Sequence, residues 1–343
     1  MTGFWKFFWG VLVAVLLLAD PFLADTYVVH VFNQVGISLI LASSLNLVVG
    51  YTGQISLAHV GLFAIGAYTS AILTTAAGLS FWVTFPIATV LAGVFGFLIG
   101  LPSLRFKTHF FAIVTLGFAE IIRLGIYNLT PLTGGPNGLY NIPFPEGILG
   151  FDFSRRQDFY YLILISAVLT ILVIYRLVHS RFGKAMIAVR ENGMFAQFVG
   201  IDTWRVKLFA FTVSALIAGF AGSLYAHYNS YISPYSFTVA HSVTYLLMVI
   251  IGGMGTIFGP ILGAAFLTIL PEMLRYIADY RMIIFGALLV LCIMFMPRGL
   301  MGLVTDLKQK AIALRRGAGI SQSLVAEDAC RLEEGEEKGI VGS

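Results

Sequence analysis

Opposite charges stand three residues apart at two places inside apolar stretches: Glu120 and Arg123 in "GFAEIIRLG", and Glu272 and Arg275 in "LPEMLRY". On a helix this spacing puts both groups on one face, close enough to pair. An unpaired charge is costly in hydrocarbon. Such a pair therefore reads as a relay for a proton or solute, or as two groups that neutralise each other for structural reasons. Other chemistry is sparse. Six histidines (His30, His59, His109, His179, His227 and His241) lack the spacing of a metal site, and no nucleophile triad or paired-carboxylate cluster stands out. Neither a metal site nor a catalytic residue is expected. The Gly183-Lys184 pair lacks both the preceding glycine spacing and the following hydroxyl residue of a phosphate-binding loop, so ATP hydrolysis by that route is not expected either.

Two polar interruptions are better candidates for function. In "NLVVGYTGQISLAHVG", extended to Tyr68, the polar groups Asn46, Thr52, Gln54, Ser56, His59 and Tyr68 fall at a helix break, and interrupted membrane helices often line the path of a solute. In "GGMGTIFGPILG", Gly252, Gly253, Gly255, Gly259 and Gly263 surround Pro260. The glycines let helix backbones approach closely, and a proline inside a helix would strand a carbonyl, so a break or re-entrant turn is expected there. Close packing alone would account for the same residues.

Of the 343 residues 58% are hydrophobic and 11% charged, with a mean hydropathy of +0.89. Soluble domains carry about a quarter charged residues, so this is a polytopic membrane protein in the lipid bilayer. Apolar runs lie at about 8–24, 28–49, 55–76, 81–102, 108–128, 159–178, 207–228, 240–253, 258–276 and 282–297. Their lengths, near the roughly 20 residues that span hydrocarbon, predict an all-α bundle of about ten transmembrane helices, some broken or re-entrant. The net charge of +4 comes from cations spread through loops, which argues against nucleic acid. Cys292 and Cys330 form no disulfide framework. The first run reads as a retained helix, with a cleaved signal peptide as the alternative. With Lys6 inside, Arg105, Lys107, Arg181, Lys184, Arg190, Arg205, Lys207 and Arg298 share one side, which puts both termini in the cytoplasm. The expected organisation is a membrane domain over residues 1–305 and a cytoplasmic tail over 306–343, largely disordered after 317.

The loop at 179–206 holds an unusual charged island, "AVRENGMFAQFVGID". Together with "NLVVGYTGQISLAHVGLFAIGAYTSAIL", "FAIVTLGFAEIIR", "TGGPNGL", "FAFTVSALIAGFAGSLYA" and "IGGMGTIFGPILGAA", in order from about 30 to 305, it resembles the LivM-like permease subunits of branched-chain amino acid importers of the ATP-binding-cassette class. The resemblance implies a bacterial inner-membrane permease forming half of a translocation pathway for hydrophobic amino acids. It also implies a second permease subunit, two ATPase subunits that bind the ATP and Mg, and a periplasmic substrate-binding protein; this chain itself would bind no cofactor. The island would be the coupling helix that docks in the ATPase. Arg190 and Glu191 would orient it, Met194, Phe195 and Phe198 would anchor it, and Ala196 and Gly200 would permit close approach. An amphipathic segment lying on lipid would use the same residues. The sequence departs from the family pattern at Gly193, where an acid is common, and at Phe195, where alanine is common. A urea or amide importer, an ion-coupled secondary transporter and a passive channel are the rival readings.

Overall fold

The computed structural model describes residues 26–106, 108–147, 153, 156–274 and, further on, 284, 286, 287, 289, 290, 292, 294 and 299–302. Its helices are α1 (Thr26–Thr52), α2 (His59–Thr75), α3 (Phe81–Ser103), α4 (Thr108–Asn128), the single turn α5 (Thr130–Thr133), α6 (Arg156–His179), α7 (Arg181–Glu191), α8 (Gly193–Phe198), α9 (Thr203–Asn229), α10 (Val239–Gly252) and α11 (Gly259–Met273). Two-residue strands, β1 (Leu139–Tyr140) and β2 (Tyr231–Ile232), pair antiparallel with Leu139 opposite Ile232. Eight of the ten apolar runs are therefore helices. The first run, the expected boundary at 305, the tail and Arg275 lie outside the described residues, and the tenth run is described only at scattered positions.

Among the described residues, five helices are long and apolar enough to cross a membrane: α1, α3, α4, α6 and α9. Of the ten expected spans, the described residues show these five and three shorter apolar helices, α2, α10 and α11; the first and tenth runs fall outside them or are described only at scattered positions. At 1.5 Å per residue a helix of 14 to 17 residues reaches only about 21–26 Å. Each of the three adjoins an irregular segment, 53–58 before α2 and 253–258 between α10 and α11.

Small residues let the central helix in. Along α9, Ser214, Ala215, Ala218, Gly219, Ala221, Gly222 and Ser223 are buried, and the helix lies against α2, α3 and α1. A Cβ on Gly66 would strike the backbone of Gly219, and one on Gly222 would strike the carbonyl of Phe63. Such backbone-level approach gives dispersion contact where lipid supplies no hydrophobic drive between helices. Toward the β1–β2 end a satisfied polar cluster adds to it. Ser223 Oγ donates to Ser70 Oγ at 2.8 Å, Ser70 Oγ lies 2.9 Å from His227 Nε2, and His227 Nδ1 lies 2.7 Å from the Pro143 carbonyl. Since a carbonyl can only accept, Nδ1 carries the proton and Nε2 accepts from Ser70. The segment after β1 is thereby tied to α2 and α9. Trp82 Nε1 fastens it again, donating to the Glu146 carbonyl at 3.0 Å.

Gly222→Leu should destabilise the chain by about 1–3 kcal/mol or more, because the backbone it meets cannot yield. Gly117→Ala, on a face where an added Cβ meets nothing, should leave stability near wild type. Thermal unfolding of the detergent-purified chain measures both.

Candidate functional site

Three N-caps cut the charged island into pieces. Ser180 Oγ accepts from Gly183 N and starts α7; Asn192 Oδ1 accepts from Met194 N at 3.1 Å and Phe195 N at 3.0 Å and starts α8; Asp202 Oδ1 accepts from Arg205 N and starts α9. Such side chains replace the helical acceptors missing at an N-terminus. Gly200 ends α8 in the left-handed region, with φ +85°. Its N–H reaches the Gln197 carbonyl, and Ile201 N–H reaches that of Ala196 at 2.9 Å. That pair of bonds is a Schellman turn, which favours glycine at this position.

Each short helix has two faces. Met186 and Val189 of α7 and Ala196 of α8 are buried with Leu47, Tyr51, Ile174, Val178, Val206 and Ala210. Pointing away from the bundle, Met194 and Phe195 are each 70% exposed, Phe198 83% and Val199 76%. Ala196 is 3% exposed, so the expectation that it permits close approach of a partner is corrected: its small side chain seats α8 on the membrane helices. For Gly200 the left-handed turn is the local requirement, since a Cβ there would meet nothing.

Arg190 makes contacts that its spacing does not reveal. Its Nε and Nη2 are held by Glu191 Oε1, at 3.2 and 2.8 Å. Its Nη1 turns back to the bundle and donates to the Gly50 carbonyl at 2.6 Å. The same guanidinium lies where a side chain on Gly255 would project, and its stem covers Gly53. One side chain therefore touches the last turn of α1 and both irregular segments.

Non-helical chain inside a membrane bundle needs partners for its backbone groups, and side chains of other helices supply several of them here. Asn46 clamps the second: Gly255 N donates to its Oδ1 at 3.0 Å, and its Nδ2 donates to the Thr256 carbonyl at 2.8 Å. Thr256 Oγ1 donates to Gly253 O and accepts from Gly259 N. In the first segment, Leu57 N donates to Thr115 Oγ1 of α4 at 3.1 Å, and its carbonyl accepts from Ser242 Oγ of α10 at 3.0 Å. Gly50 has to be glycine because a Cβ would collide with Asn46 Oδ1 and Gly255 N. Gly252, Gly259 and Gly263 bring α10 and α11 to backbone contact.

Other sequence expectations are adjusted. Only Gln54 and Ser56 of the polar candidates lie in the break; Asn46 and Thr52 are in α1, and His59 and Tyr68 in α2. All six are buried. Thr52 Oγ1 donates to the Val48 carbonyl, Ser56 Oγ accepts from Ala58 N, and His59 Nε2 lies 2.6 Å from Ser214 Oγ. Ser214 in turn donates to the Ser44 carbonyl, so Nε2 is the protonated nitrogen of His59. Pro260 sits in the first turn of α11, where no helical bond is lost, so it starts a helix instead of stranding a carbonyl inside one. Glu272 accepts a hydrogen bond from Tyr27. Sequence reading left Thr256, Thr115, Ser242 and Ser214 out of the candidates; their partners lie far off in the chain, and no local pattern marks them.

Asn46→Leu leaves the Gly255 N–H and the Thr256 carbonyl without their partner, a cost of about 1–3 kcal/mol for each buried group. A lowered unfolding midpoint of the purified chain is expected, with Asn46→Asp intermediate because it keeps only the acceptor. An unchanged midpoint in Asn46→Leu would contradict the clamp.

No solved structure matches the chain. The permease protein LivM of the high-affinity branched-chain amino acid transport system of Escherichia coli K12 is 40% identical over 332 residues, covering 90% of this chain and 77% of that protein. LivH of the same system and organism is 26% identical over 282 residues, 77% of this chain and 90% of that protein. The probable LivM of Methanocaldococcus jannaschii is 28% identical over 236 residues, 62% of this chain and 67% of that protein. Residues 27–293, which contain both breaks, α7, α8 and the Arg190 contact, match the family described as branched-chain amino acid transport system, permease component, and the chain belongs to that family.

Proposed function

We propose that this chain is the permease subunit of an ATP-driven importer, forming half of the translocation pathway for branched-chain amino acids delivered by a periplasmic binding protein. Its partners are a second, sibling permease, as the similarity to both LivM and LivH supports, and two ATPase subunits that bind ATP and Mg. It sits in the bacterial inner membrane with both termini and the 179–206 loop in the cytoplasm, the arrangement that groups the loop cations on one side. Residues 1–305 form the permease domain, and 306–343 a cytoplasmic tail.

The observation that carries this reading is the bond from Arg190 to Gly50. Coupling needs an exposed face for the ATPase and a stiff connection from that face to the membrane helices. Met194, Phe195, Phe198 and Val199 supply the face. Asn192 joins α8 to α7, and Arg190 joins α7 to the end of α1 and both breaks. Rigid displacement of α8 then moves the places where helical hydrogen bonding is already interrupted, which are the points that bend most easily. Gln54, Ser56 and the clamp residue Asn46 act at these joints, and the route for solute opens beside them.

Phe198→Asp puts a charge on the most exposed anchor. Copurification of the ATPase and leucine uptake in proteoliposomes should both fall by at least about tenfold, while the chain remains in the membrane. Normal copurification would remove the docking assignment. Uptake of urea in place of leucine by the wild-type complex would change the solute, and uptake without any ATPase would overturn the importer reading.

A further inference from the structure

The α4 helix is the least enclosed of the five long spans. One stripe of it, Phe111, Thr115, Ala119 and Ile126, is buried, and another, Phe110, Ile113, Ile121 and Leu124, is open. Glu120, Arg123 and Tyr127 follow one another on the shoulder between these stripes, in the half of the helix nearer the β1–β2 end. Arg123 Nε donates to both carboxylate oxygens of Glu120, at 3.0 and 2.9 Å, and Nη2 adds a third bond. The pair is not sealed: the Glu120 side chain is 34% exposed and that of Arg123 20%. Arg123 Nη1 makes no hydrogen bond among the described residues. The ring of Tyr127 stands edge-on to that of the exposed Tyr235, with centroids 6.5 Å apart.

An open pair on this helix cannot face hydrocarbon without a large cost, so it faces protein or water. Among the described residues it is the only ion pair in the body of a membrane span. It therefore supplies the one place there where a cation and an anion can be received together. We propose that Glu120 and Arg123 form a transient binding site for the zwitterionic head of an α-amino acid with an apolar side chain. The solute carboxylate takes the free Nη1 of Arg123, and the ammonium takes a lone pair of Glu120. Leu124 and the Tyr127–Tyr235 pair lie beside the site for the apolar side chain. Mutual pairing keeps the two charges neutral when no solute is present, so an empty site costs little. Its location also links it to the joints, because α4 and α10 together grip Leu57 of the first break through Thr115 and Ser242.

The inference rests on the importer reading, and its test separates the two. The complete complex, reconstituted in proteoliposomes with its binding protein, is assayed for leucine moved per ATP hydrolysed, a ratio insensitive to how much complex survives. Glu120→Gln and Arg123→Gln should each lower this ratio by about tenfold or more, the effect of losing one charged hydrogen bond. Arg123→Lys keeps the cation and should recover part of it. If the variants yield less complex but an unchanged ratio, the pair is structural and the proposal is overturned. If wild type hydrolyses ATP in response to loaded binding protein yet moves no leucine, the solute assignment of the importer reading fails instead, and the site goes with it.

Discussion

The guanidinium of Arg190 reaching the Gly50 carbonyl is the contact on which the rest of the arrangement depends. Glu191 fixes its direction from one side. Around it stand the last turn of α1, the break at 53–58 and the break at 253–258, and the glycines at 50, 53 and 255 leave the room it occupies. The contact converts a short surface helix and two separate stretches of membrane chain, the end of α1 running into the first break and the second break, into one mechanical unit. Besides this contact, α7 rests on the apolar seat formed with Leu47, Tyr51 and their neighbours, which resists separation but tolerates sliding.

Irregular backbone within a membrane bundle has to find its hydrogen bonds in protein. Here the partners come from other helices: Asn46 of α1 for the second break, and Thr115 of α4 and Ser242 of α10 for the first. The second break is thus a junction of three helices and the first of four, and shifting any one changes the strain on the others. The polar cluster around Ser70 and His227 serves the opposite end differently. It is satisfied and anchored to the Pro143 carbonyl, which suits a fixed support more than a moving joint.

Much of this was legible in the sequence. Periodicity and length located eight helices, and glycine and polar interruptions located both breaks to within a few residues. Side-chain direction was less accessible. A buried asparagine near a break reads the same from composition whether it faces solute or clamps a loop 209 residues away. Arg190 reads as a surface charge until the fold brings Gly50 beneath it. Ala196 lies between exposed Phe195 and Phe198, yet the turn of α8 puts it on the opposite face. Pro260 breaks a helix or begins one depending on where that helix starts, and the start at Gly259, beside the turn in which Gly259 N donates to Thr256 Oγ1, is not marked by a local capping residue. By contrast, the Glu120–Arg123 pairing followed directly from spacing, because it needs only one helix.

The central claim is that Arg190 makes α7 and the second break move together. Spin labels at Lys184 of α7 and Met254 of the break, both exposed, would report it once Cys292 and Cys330 are replaced. In the complete complex the account predicts a single interlabel distance that stays the same with and without ATP, and that splits or broadens when Arg190 is changed to Gln. A distance that shifts with ATP in the otherwise native chain, or one that Arg190→Gln leaves untouched, would contradict it.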